Sequence, residues 1–159
     1  MEGISEAVLK TALPKSDIKA LVDCATRMSG NQNTVQVFDI GSIASREHLL
    51  GAYLNALLAF KNHTNRAKSI GMEMLLFTAL TDQISDAVRI AGAKPGSRVV
   101  VFASSQAEFS KIAPMLKDVA DFNPSEAHRD SVLRRLGIKN TGDAHEQILQ
   151  AMAVSRLGA

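Results

Sequence analysis

The 159-residue chain has no tryptophan, one cysteine and an aromatic content of only 4%. With Cys24 alone, no internal disulfide can form, and a reducing, cytoplasmic setting is expected. So few aromatic rings argue against a broad base-stacking platform. No apolar run reaches the roughly 18 residues of a membrane span, so no membrane partner is expected. The opening MEGISEAVLK has neither the basic start nor the apolar block of a secretion signal. Charge of one sign is scarce as well. The balance of 18 basic against 16 acidic residues leaves +2, too little to announce nucleic-acid binding without local clustering.

Catalytic signatures are missing too. His48, His63, His128 and His145 lie on four separate segments, none with a second ligand at helical spacing, so no metal and no cofactor are expected. Cys24 lies on the apolar side of its helix pattern, where an inert buried thiol is the expectation. No serine sits in a nucleophile elbow. GAKPGS (92–97) lacks the spacing of a phosphate loop and runs into a strand pattern instead of a helix.

What is there is a globular composition, 46% hydrophobic and 21% charged, which suits one domain over residues 1–159. Amphipathic spacing predicts a helix over 16–28 capped by Ser16. A second follows Ser45, with Leu49, Leu50, Tyr53, Leu54, Leu57 and Leu58 inside. Further helical patterns cover 65–80 and 82–91, with Gly92 able to take the left-handed position after the latter. Ser105 and Glu108 form a capping-box pair, a helix after Pro124 stops at Gly137, and Asp143 with Glu146 opens a last helix bearing Ile148, Leu149, Met152 and Leu157. Strand patterns cover 34–40, 98–104 and 118–122. Residues 1–15 fit either a helix or a short edge strand using Ile4, Ala7 and Leu9. The expected fold is α/β (α+β) and helix-dominated, with a small mixed or antiparallel sheet packed against several α-helices.

The stretch 65–80 is apolar almost all round, the mark of a buried central helix. Its one polar stripe is Arg66, Ser69 and Glu73. An ionised carboxylate in a dry interior costs several kcal/mol without partners. Glu73 therefore either lies where the helix surfaces or meets a donor such as Arg66, Ser69 or a backbone N–H. Just before it, Lys61, Asn62, His63, Asn65, Arg66 and Lys68 gather donors on one loop and the first turn of a helix, a site suited to phosphates or unpaired bases. At the strand-to-helix junction 40–48 backbone N–H groups could hold an anion, a weak signal because any such junction offers the same.

The order HLLGAYLNAL…TNRAKSIGMEMLLFTALTDQISDAVRIAGAKPGSRVVVF resembles the kinase-binding small subunit of the KEOPS/EKC tRNA-modifying complex (TPRKB family, archaeal type). Asn65, Met72, Glu73, Leu75, Gln83, Ile84, Ala87, Gly92, Lys94 and Gly96 carry the likeness, and Asp82 stands where that family often has a basic residue. The resemblance implies a non-catalytic accessory subunit. It would bind the small kinase/ATPase, meet the other KEOPS subunits indirectly, and help recruit tRNA by its 3′ CCA end for N6-threonylcarbamoyladenosine modification. On that reading Lys61, Asn65, Arg66 and Lys68 are expected to touch tRNA, with Arg89 and Lys94 as outliers. Ile84, Val88, Ile148 and Met152 are the expected kinase-facing patch, and Glu73 and Gly92 are structural. Two alternatives stand beside it: a small-molecule or anion-binding enzyme domain with its site at 40–48, and a homodimer of the isolated chain using the same apolar patch.

Overall fold

The computed structural model describes residues 6–30, 33–139 and 142–156, which form four strands and seven helices. In chain order these are β1 (Val8–Pro14), α1 (Ile18–Met28), β2 (Val35–Asp39), α2 (Arg46–Lys61), α3 (Ile70–Ala79), α4 (Ile84–Ala91), β3 (Val99–Ala103), α5 (Gln106–Ile112), β4 (Leu116–Asp121), α6 (Glu126–Arg135) and α7 (Ala144–Val154). Short 3-10 turns occupy Ile40–Ser42 and Ala113–Met115. The fold is mixed α/β. The chain gathers into two compact units: Met1–Ile40 with Gly92–Phe122, and Gly41–Ala91 with Asn123–Ala159.

The first unit is built on a sheet of order β2-β3-β1-β4, antiparallel at every pairing. The ambiguous N-terminal segment is thus a strand, and an interior one, not an edge. Cross-strand pairing outweighs the helical propensity of its first residues, and Pro14 falls at its end, where a missing N–H is tolerated. Ile4 lies outside the described residues. β4, an edge strand, carries an extra residue opposite Thr11–Leu13, with Asp118 at φ 52° and its carbonyl accepting from Arg98 Nη2 at 2.7 Å. Such a bulge interrupts an edge that would otherwise invite pairing. Leu21 and Ala25 of α1 and Phe109 and Ile112 of α5 form one core with Ala12, Val35, Val37, Val99, Val101 and Ala103. Each such Val, Leu, Ile or Phe stabilises the fold by about 1.5–3 kcal/mol.

Two local expectations change here. Helix α1 is capped by Asp17, which accepts from the Ala20 amide at 2.8 Å, and Ser16 precedes the cap. Gly92 is not in a left-handed cap. It is buried and bridges antiparallel to Phe38, so a position read as a helix stop extends the sheet's hydrogen bonding.

The second unit is helical. Helix α3 is buried on nearly every side, as its composition requires. Helix α2 turns inward the small residues Gly51, Ala52, Ala56 and Ala59 together with Leu49 and Tyr53, while Leu50, Leu54 and Leu57 are half-buried and Leu58 is exposed. Small side chains let neighbouring helix axes approach, which an all-leucine face would prevent. At Gly51 a Cβ would lie 2.6 Å from Leu149 Cδ2, so α2 and α7 pack closely there.

Candidate functional site

The polar loop begins where α2 ends. The amides of His63 and Thr64 return to the carbonyls of Phe60 (3.3 Å) and Ala59 (2.8 Å), and His63 takes φ 57° between them. This closure normally uses glycine, because a side chain in the left-handed region is strained. His63→Gly is therefore expected to raise the unfolding free energy by about 1 kcal/mol, read from urea denaturation. A lower stability would mean that the imidazole does more than end the helix.

Beyond Thr64 the chain is not yet helical. α3 starts at Ile70 with Ser69 as cap, accepting from the Met72 amide at 3.2 Å, so Arg66 and Lys68 lie in the loop and not on a helical stripe with Glu73. Asn65 caps nothing. Its amide donates to the Ala67 carbonyl at 2.9 Å and tightens the loop.

Glu73, in the first turn of α3, has no exposed surface. Its Oε1 accepts the backbone N–H of Arg66 (2.9 Å) and of Ala67 (2.8 Å), and its Oε2 accepts Nη2 of Arg156 at 2.7 Å. Arg66 thus meets Glu73 through its main chain, while its guanidinium lies 3.7 Å from Asp82. Arg156 also stacks on Phe77, 4.0 Å from the ring centroid. Sequence reasoning missed Arg156 because it lies 83 positions downstream, and no local spacing connects the two.

Beside the loop, α2, α3 and α7 enclose a cleft of about 420 Å³, lined by Asn55, Asn62, Thr64, Arg66, Phe77 and Arg156 among others. Lys61 and Lys68 are exposed, and their side chains make no hydrogen bond or ion pair among the described residues. The remaining expected cations are engaged elsewhere. Arg89 lies 3.5 Å from Asp86 on α4; Lys94, in the sheet unit, lies 3.6 Å from Asp39 and donates to the Gly92 carbonyl at 3.1 Å.

The expected apolar patch divides. Ile84 and Val88 on α4 are 44% and 47% exposed, whereas Ile148 and Met152 on α7 are completely buried. The outward residues of α7 are instead Leu149 and Val154. Periodicity placed an apolar face on α7 correctly, but the packing of that face on α2 takes Ile148 and Met152 into the core. Leu157 lies outside the described residues.

His48 is buried; its Nδ1 accepts from the Ala44 amide at 3.0 Å, so Nε2 carries the proton and donates to the Thr78 carbonyl at 3.2 Å. Burial lowers its pKa from 6.5 to about 4, against an opposing contribution from the Thr78 hydrogen bond. Asp39 is held by Lys94. Among the described residues no three His, Cys, Asp or Glu side chains gather as a metal site, and no helix is long and apolar enough to cross a membrane.

Residues 15–136 match the family described as Kinase binding protein CGI-121. The protein named Regulatory protein Cgi121 from Methanocaldococcus jannaschii is 28% identical over 125 residues, covering 77% of this chain and 83% of that one. KEOPS complex subunit Cgi121 from Pyrococcus abyssi is 36% identical over 63 residues, covering 40% of this chain and 37% of the relative. The first of these stretches spans most of both chains and the family match spans well over half of this one: the chain belongs to the kinase-binding protein CGI-121 family.

Proposed function

We propose that this chain is a non-catalytic subunit of a KEOPS-type assembly in the cytoplasm. It docks on the small kinase/ATPase and presents tRNA, by its single-stranded 3′ CCA end, for N6-threonylcarbamoyladenosine modification. The observation that carries the RNA half is the 61–68 loop. Two lysines there are free of ion pairs among the described residues, beside a cleft with amide, hydroxyl and guanidinium groups on its walls. Lysines supply point charge toward phosphates, and Arg66 and the neutral donors suit base edges or sugar hydroxyls. Family membership supports the kinase half, and Ile84 and Val88 offer adjoining exposed apolar area on α4.

Mixed with its cognate kinase at micromolar concentration, the chain is expected to co-elute in gel filtration. Ile84→Asp combined with Val88→Asp should weaken that complex about tenfold. Separate elution of the native chains would defeat the kinase reading, and light scattering on the same column reads any self-pairing. In parallel, tRNA lacking its CCA end should bind far more weakly than intact tRNA, and Lys61→Glu with Lys68→Glu should lower both the affinity and its salt dependence. Equal binding of trimmed and intact tRNA would end the proposal of end recognition.

A further inference from the structure

Residues 65–68, between the closure of α2 at Thr64 and the cap of α3 at Ser69, belong to no helix or strand, so their shape depends on the few groups that the backbone meets. Two consecutive amides, Arg66 and Ala67, point at one oxygen of Glu73. The other oxygen is occupied from the opposite side by Arg156, just past the end of α7. The Arg156 side chain is 16% exposed and lies on the Phe77 ring, and its Nε is buried without a partner among the described residues. Its position therefore rests on the carboxylate and the ring.

We propose that Arg156 is a positioning residue, which fixes the 62–68 loop in its RNA-contacting shape by holding the Glu73 carboxylate against the Arg66 and Ala67 amides. The inference rests on the reading of that loop as the RNA-contacting surface, but it has its own physical signature. Without the guanidinium, Oε2 of the buried Glu73 loses its charged partner. The carboxylate then turns or draws in water, and both loop amides lose their fixed acceptor. The residue just past α7 and the loop are thus two ends of one hydrogen-bonded unit, and whatever constrains the first constrains the second.

The test compares the native chain with Arg156→Gln and Arg156→Lys in two measurements. In amide hydrogen exchange, Arg156→Gln is expected to speed exchange at Arg66 and Ala67 about tenfold while leaving the Leu76 amide of α3 unchanged. Arg156→Lys, which keeps a charge near Oε2, should restore part of the protection. In tRNA binding, Arg156→Gln should weaken affinity by roughly 2- to 30-fold with the salt slope unchanged, because no phosphate contact has been removed. Unchanged exchange at Arg66 and Ala67 would overturn the proposal, as would equal acceleration at Leu76, which marks plain loss of stability. A salt slope reduced by about one would also overturn it, since Arg156 would then touch phosphate directly. If native chain binds no tRNA at all, the RNA reading falls, and the exchange pattern alone decides the coupling.

Discussion

Glu73→Ala should lower the unfolding free energy by about 3–5 kcal/mol, a fall in Tm of roughly 10 °C for a chain of this size. Glu73 has no exposed surface and accepts three hydrogen bonds, two from main-chain amides and one from a guanidinium. Truncation removes the acceptor from all three donors at once. It leaves the Arg156 charge, itself mostly buried, facing a cavity. Desolvation makes this more costly than losing a surface ion pair, which is worth about 1 kcal/mol or less. Glu73→Gln should rescue little. An amide oxygen can still receive the Arg66 and Ala67 N–H groups, but its NH₂ then opposes the Arg156 donors. The informative companion is the double variant Glu73→Leu with Arg156→Leu, because replacing a buried pair by apolar side chains is often nearly neutral. It should be markedly more stable than the sum of the single losses allows. Calorimetry of the native chain, the two single leucine variants and the double variant tests this; a Glu73→Ala chain within about 0.5 kcal/mol of native would show that the carboxylate is not a structural tie.

The second large effect is a loss of stability in mild acid, traced to His48. Its neutral tautomer is fixed by the Ala44 amide donating to Nδ1. Adding a proton there would set one donor against another inside a fully buried site, which is the geometric side of the fall in pKa to about 4. In the unfolded chain the same group titrates near 6.5. Between those values the unfolded state takes up a proton that the folded state refuses. The contribution is therefore complete above 6.5 and declines as pH falls toward 4. Moving from pH 7.5 to 4.5 should cost about 2–3 kcal/mol through this residue. Urea midpoints at the two pH values should separate more in the native chain than in His48→Gln, whatever the variant's own stability. Equal separations would assign the acid sensitivity to other groups.

The helix ends were legible where their chemistry is local. Ser45, Ser105 and Asp143 each accept the amide three positions on, and Gly137 takes φ 76° after α6. A cap needs only its own next few residues, so its signal is written contiguously. His63 was not legible as a helix stop, because nothing in its side chain announces a left-handed backbone; the return of Thr64 to Ala59 imposes it. Of the candidate site, the donors of the 61–68 loop could be read off directly, since they are consecutive. The cleft beside them could not, because Asn55, Phe77 and Arg156 come from α2, from α3 and from just past α7.

By itself, then, the sequence determined the alternation of helices and strands, the burial of α3 as a helix apolar almost all round, and the clustering of cationic and amide groups before it. Those follow from periodicity, composition and adjacency, which act over a few residues. Only the tertiary structure decided that Val8–Pro14 is an interior strand, that Gly92 joins a sheet bridge, and that Ile148 and Met152 are core while Ile84 and Val88 face outward. It alone supplied Arg156 as the partner of Glu73. The reason is common to all four. An apolar face or a buried charge states that a partner is needed, but which partner arrives depends on packing between segments far apart along the chain, and no local pattern encodes that choice.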